Sequence, residues 1–227
     1  DHMVQGVSQQ NLADWLAHVD EHPEFSLYYN HVGAGASVEG HRHAQLIPAR
    51  HRFPVESFAT PPVAEVDGVA IGELVGYPAK TLVLTSGDLE RLAAVQHRIV
   101  QQFEAQGLSF NFFVRAAPDQ TATVYLYPRS QASPSGQRIT ATGDVGAMEL
   151  SGMVVSLSDR QRYDELTGEA FEAALRDVSV SDVVWQQLRA AVQRMSGHAG
   201  GPIRRPRKQP EGIQLPVEGT AVMDAEG

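Results

Sequence analysis

FSLYYNHVGAGASVEGHRHAQLIP, residues 25–48, is the stretch whose reading decides the fold. Two short runs of alternating pattern flank a segment of small residues. Successive side chains of an extended chain point to opposite faces, so Phe25, Leu27 and Tyr29 oppose Ser26, Tyr28 and Asn30 in the first run. In the second run the same alternation puts His41, His43 and Gln45 on one face, with Ala44 and Leu46 on the other. The connecting HVGAGAS, residues 31–37, holds Gly33 and Gly35 and a single bulky apolar residue, so a ligand can approach its backbone closely. Chemistry is expected on the face of His41, His43 and Gln45.

The flanking sequence reads as support for that stretch. Ser8 is a candidate N-cap for a helix whose stripe is Leu12, Trp15, Leu16 and Val19, and Pro23 stops it. Residues 63–71 carry Asp67-Gly68 between apolar alternations, which predicts a hairpin. A strand over 81–85 leads to Ser86, the expected cap of a long helix over 88–105 with Leu89, Leu92, Val95, Ile99 and Phe103 inward and Gly107 closing it. Phe110, Phe112 and Val114 predict a strand that turns at Pro118-Asp119 and returns over 122–127. Residues 131–146, rich in Ser, Gly, Thr and Pro, predict a loop, and 148–157 predict a buried strand. Ser181 caps a last helix with the stripe Val184, Trp185, Leu188, Val192 and Met195. From residue 197 the chain turns to Gly, Pro and a basic cluster, then an acidic tail. The expected organisation is an α+β fold: residues 1–60 with the histidine motif, 61–196 as a second strand–helix–hairpin unit, and 197–227 as a tail.

Composition narrows the function classes. The chain has 227 residues, of which 42% are hydrophobic, enough for a sizeable core. Its net charge of −9 argues against non-specific binding to nucleic acid or an anionic membrane, so neither partner is expected. Absence of cysteine removes disulfides and thiolate ligands. No apolar run approaches a membrane span and the first residues lack a signal-peptide pattern. A cytoplasmic enzyme is the expectation.

The histidine face has three readings. It could be surface polarity, or part of a metal site, but two histidines leave a divalent ion incompletely ligated unless His31 or His51 joins them. No metal and no cofactor are expected. The chemistry that fits best is attack by an imidazole nitrogen on phosphorus, since neutral histidine is nucleophilic near pH 7. Loop amides at Gly35, Ala36 and Ser37, the Ser37 hydroxyl and the Gln45 amide would donate to the phosphoryl oxygens. Gln45 has no titratable proton, so it steadies a phosphoryl group without acid–base chemistry, which favours transfer over hydrolysis.

HRHAQLI, residues 41–47, resembles the histidine-triad signature of transferases, the branch that includes galactose-1-phosphate uridylyltransferases and dinucleoside tetraphosphate phosphorylases. Within it the chain looks most like the GDP-hexose phosphorylases, through FSLYYN (25–30), GELVGYP (72–78), FNF (110–112), LYP (126–128) and ELSG (149–152) as well. The resemblance implies a HIT-like antiparallel sheet with flanking helices in two pseudo-repeated halves, the first incomplete at its N-terminus. It implies His43 as nucleophile, His41 orienting it, Gln45 holding the phosphoryl oxygen, and Asn30, Gly33, Gly35, Ala36 and Ser37 lining the phosphate pocket. The implied partners are a nucleoside diphosphate sugar, inorganic phosphate, and a second copy or another chain that completes the first half. Arg42 departs from the usual apolar residue of the signature. A dinucleoside polyphosphate or an unusual sugar nucleotide would fit the same mechanism, and a catalytically silent nucleotide-binding subunit is the reading from another class.

Overall fold

The computed structural model describes residues 6–36, 43–49, 52–135, 139–140, 143–154 and 165–196. Seven strands form one open antiparallel sheet: β1 (Phe25–Asn30), β2 (Ala44–Pro48), β3 (Pro62–Val66), β4 (Val69–Glu73), β5 (Leu82–Ser86), β6 (Ser109–Ala116) and β7 (Ala122–Arg129), in the order β2-β1-β6-β7-β5-β4-β3. The helices are α1 (Gln9–Glu21), α2 (Leu89–Ala105), the single turn α3 (Ala147–Leu150), α4 (Gly168–Asp177) and α5 (Asp182–Ser196), with a 3-10 turn at Pro54–Ser57. Strands from both sides of residue 60 share the sheet. No helix among the described residues is long and apolar enough to cross a membrane.

Most local signals act as the pattern predicts. Ser8 Oγ accepts from the Asn11 N–H at 3.2 Å while Asn11 Oδ1 accepts from the Ser8 N–H, which satisfies free amides at the start of α1. Asp67 at φ 51 and Gly68 at φ 81 give the two left-handed residues that a tight β3–β4 hairpin needs. The N-cap of α2 is Asp88 rather than the expected Ser86: Asp88 accepts from Arg91 N–H at 3.1 Å, while Ser86, the last residue of β5, accepts from Asp88 N–H. Gly107, at φ 68, turns the chain out of α2.

Alternation sorts the sheet's residues between two cores. On one face Leu27, Tyr29, Phe110, Phe112, Val114, Leu126 and Leu84 pack under Leu12, Leu16 and Val19 of α1, Leu92, Val95, Ile99 and Phe103 of α2, and Trp185, Leu188 and Val192 of α5. On the other, Tyr28, Phe113, Tyr125 and Tyr127 pack under Phe53, Val55, Val145, Ala147, Leu150 and the α4 residues Ala174 and Leu175. Helices thus cover one face, and coil with short helices covers the other.

The strand expected over 148–157 is corrected over 148–154; residues 155–157 lie outside the described residues. Residues Ala147–Leu150 form a helical turn, and Gly152 follows at φ 93. Hydrophobicity there reflects burial of Ala147 and Leu150 against the second face, and a short apolar run alone does not distinguish a strand from a buried helical turn. The predicted tail at 197–227 lies outside the described residues.

Phe112 stacks on Tyr29 at 5.0 Å between centroids and lies 6.0 Å from Trp15, so it couples β6, β1 and α1. Phe112→Ala is expected to cost about 3–5 kcal/mol, read as a lowered urea midpoint with an unchanged far-ultraviolet spectrum in the absence of denaturant.

Candidate active site

The site lies at the β2 end of the sheet, on the face away from α1 and α2. Register pairs Asn30 with Asn111 and Asn111 with Tyr127. The β1–β2 ladder pairs Tyr29 with Ala44. One more step along that ladder brings His43, the residue before β2, beside Asn30. His43 is half-buried, Gln45 is exposed, and Gln45 pairs with Tyr28 in the next row of the same face. The described members of the predicted face therefore do share a face, with an asparagine added to it. His41 and Ser37 lie outside the described residues.

Behind Asn30 runs a chain of polar side chains whose polarity is dictated. Arg129, 1% exposed in the sheet, carries only donors. It donates to Val178 O at 3.2 Å, Val145 O at 2.7 Å, Gln131 O at 2.9 Å, Ala132 O at 3.0 Å, and Asn111 Oδ1. Because the atom of Asn111 that meets a guanidinium must be its oxygen, its amide nitrogen faces the other way. That nitrogen donates to Asn30 Oδ1 and to Ala34 O, both at 2.7 Å. The backbone N–H of Ala147 also donates to Asn30 Oδ1, at 2.8 Å. Two donors on one oxygen leave Asn30 a single orientation, with its Nδ2 hydrogens directed away from both and paired with no acceptor among the described residues.

The same network holds the glycine loop. Gly33 and Gly35 have φ 73 and φ 82, backbone that favours glycine. A Cβ at Gly33 would meet Ser109 Oγ at 2.8 Å, and one at Gly35 would meet Val145 O at 3.0 Å. The expected free space beside these glycines is therefore taken by the protein itself, and the loop is packed rather than open there. Ala34 is fully buried, its N–H donating to His31 O and its carbonyl taken by Asn111. The amides of Gly35 and Ala36 are paired with no acceptor among the described residues. His31 is part of the scaffold: its Nδ1 lies 2.9 Å from Val32 O, its ring stacks on Phe110, and burial holds its pKa below the usual histidine range. Its Nε2 faces Glu104 of α2, so the ring lies on the helix side of the sheet, away from the face of His43.

Gly146 and Glu149 complete the cluster. A Cβ at Gly146 would meet Asn30 Nδ2 at 3.0 Å, so any larger residue there would push the Asn30 side chain by a few tenths of an ångström. Glu149 Oε2 accepts from Gly146 N–H at 2.9 Å. Burial raises the Glu149 pKa and lowers that of Arg129 to about 9, while each charge favours the other's ionised form. Arg129, with its donors all used, stays protonated at neutral pH. Asn111, Arg129, Gly146 and Glu149 were not among the predicted site residues. Asn111 had a signal, a polar residue between Phe110 and Phe112, but nothing local marks Arg129 as its partner.

A family model described as GDPGP1-like, C-terminal domain matches residues 51–199. The chain belongs to that family. The matched span takes in Asn111, Arg129, Gly146 and Glu149 and begins after the histidine strand. Among curated relatives, GDP-L-galactose phosphorylase 2 of Arabidopsis thaliana is 24% identical over 189 residues, covering 80% of this chain and 43% of its own. GDP-L-galactose phosphorylase 1 of the same plant is 25% identical over 187 residues, covering 79% of this chain and 41% of its own. The chain spans less than half the length of these relatives. No solved structure matches it. The family resemblance drawn from the sequence therefore stands, while the histidine-triad assignment rests on the motif.

Glu149 has a pH signature. Its folded-state pKa is raised by burial, so folding binds a proton more tightly than the unfolded chain does. The stability this supplies is complete below the ordinary carboxylate range and is lost as pH rises through the folded value. Glu149→Gln, which keeps an oxygen for Gly146 N–H, is expected to show a flatter decline of the urea midpoint between acid and neutral pH than the parent protein.

Proposed function

We propose that the chain carries the nucleotidyl-transfer site of a phosphorylase acting on a nucleoside diphosphate sugar of the GDP-hexose kind. The observation that carries this reading is the forced orientation of Asn30, one ladder step from His43, whose amide hydrogens meet no acceptor among the described residues, with the amides of Gly35 and Ala36, likewise without an acceptor among them, following in the same loop. Donors preset where negative charge gathers are what phosphoryl transfer requires of a protein. The two plant relatives are GDP-L-galactose phosphorylases, which supports the substrate class.

In the proposed reaction a neutral His43 nitrogen attacks the phosphorus next to the nucleoside. The phosphorus–oxygen bond to the second phosphate breaks, and sugar 1-phosphate leaves with that oxygen and its electron pair. The enzyme then holds the nucleotide through a phosphorus–nitrogen bond. An oxygen of inorganic phosphate attacks the same phosphorus, releasing a nucleoside diphosphate and restoring His43. His41 orients His43 and Gln45 steadies a non-bridging oxygen. Asn30 Nδ2 and the loop amides of Gly33, Gly35, Ala36 and Ser37 take up the charge of the pentavalent transition state. None of these steps needs a metal or a base strong enough to activate water.

His43→Ala is expected to lower phosphate-dependent turnover by roughly 10⁴-fold or more, the scale of losing a nucleophile. The parent protein, quenched after mixing with nucleotide-labelled GDP-hexose and no phosphate, should carry an acid-labile label that the variant lacks. Full activity in His43→Ala would sink the mechanism, and nucleotide binding without any adduct in the parent protein would favour the silent binding subunit. A substrate panel including a dinucleoside polyphosphate decides between the two phosphorylase readings.

Asn30→Asp keeps an acceptor for Ala147 and Asn111 but sets a carboxylate where the free amide was. Its kcat is expected to fall about 10²–10³-fold, with the unfolding midpoint little changed. Equal loss of stability and activity would instead mark Asn30 as scaffold alone.

A further inference from the structure

Far from the histidine strand in sequence, the last turn of α1 presents His18, Glu21 and His22. Side chains at i, i+3 and i+4 lie on one face of a helix. The opposite face, Leu12, Leu16 and Val19, is buried, so these three project into solvent, and all three are exposed. One ligand atom from each lies within 4.8 Å of the others, and the two imidazole rings are 4.7 Å apart between centroids. Among the described residues no hydrogen bond occupies either ring, and the one charged neighbour outside the cluster is Glu24, beside His22. The backbone beneath them is fixed: His22 N–H donates to His18 O at 3.1 Å and its carbonyl accepts from Phe25 N–H at 2.9 Å.

We infer that this cluster is a binding site for a transition-metal dication of the zinc, nickel or copper class. The donor set decides the class. Two imidazoles with one carboxylate suit these ions, whereas calcium and magnesium select oxygen ligands. The site sits at the negative end of the helix dipole, which adds attraction for a cation. Glu24, with Oε1 3.6 Å from His22 Nδ1, holds a carboxylate beside that ring and favours presentation of Nε2 to the metal. Three protein ligands leave a tetrahedral ion one position for water or for a donor from another molecule. A bound ion ties together the last turn of α1 and its C-cap residue His22.

The test is calorimetric titration of the full chain with zinc chloride, alongside cobalt(II) absorption as a report of coordination number. One equivalent of zinc should bind with saturation. His18→Ala and His22→Ala should each weaken it by about tenfold or more, with the far-ultraviolet spectrum retained because alanine suits exposed helical positions. Zinc at about 100 times its Kd should raise the folded-to-unfolded ratio about 100-fold in the parent protein and hardly at all in the double variant. The His41→Ala/His43→Ala variant should bind as the parent does. Absence of saturable binding, binding that survives loss of both His18 and His22, or binding that disappears only with His41 and His43 would each overturn the site.

Discussion

A guanidinium with nothing but donors, buried in the sheet, governs the organisation of the candidate site. Arg129 tolerates burial only because every direction of its fork meets an oxygen, four of them main-chain carbonyls from residues 131–132, 145 and 178. Those carbonyls belong to the coil and to the end of α4, so one side chain anchors the irregular layer that covers the second face. Leaving such a charge without partners would cost several kcal/mol, which makes the surrounding backbone as constrained as a regular element. The fifth acceptor, Asn111, passes the constraint on.

What Asn111 passes on is direction. A donor-only group at one end and the Ala147 N–H at the other leave the two asparagines one consistent arrangement, and that arrangement turns the Asn30 amide hydrogens away from both donors to its oxygen. Orientation here is a consequence of hydrogen-bond inventory rather than of packing shape. The glycines serve the same end. Gly35 admits the Val145 carbonyl and Gly146 admits Asn30, so the loop and the 145–147 backbone close on each other at distances a Cβ would crowd. Donors held this firmly need no reorganisation when charge develops beside them, which is the condition for electrostatic stabilisation of a transition state.

Much of the scaffold was legible because its signals are local. The stripe Leu12, Leu16, Val19, the Asp67-Gly68 turn, the inward row of α2 and the alternation of Phe110, Phe112 and Val114 each lie within one turn or one strand, and each element formed as its period required. The helical turn at Ala147–Leu150 was not legible, since four residues are too few to display a period. The α1 metal-ligand cluster did carry a local signal, histidines four apart with a glutamate between them, and it stands out once α1's buried face is known. Asn30 could be singled out as a polar end to an apolar strand, whereas its orientation could not.

By itself the sequence determined most of the helices and strands, the two faces of those strands, and the family. Only the tertiary structure decided which polar residues meet. Asn30 and Asn111 are 81 positions apart, Asn30 and Ala147 are 117 apart, and Asn111 and Arg129 are 18 apart. The reason is the range of the forces. Periodicity and capping act over a few residues, but the demand that a buried donor find an acceptor is met anywhere the sheet order happens to bring one, and that order, β2-β1-β6-β7, is fixed by the packing of the whole sheet.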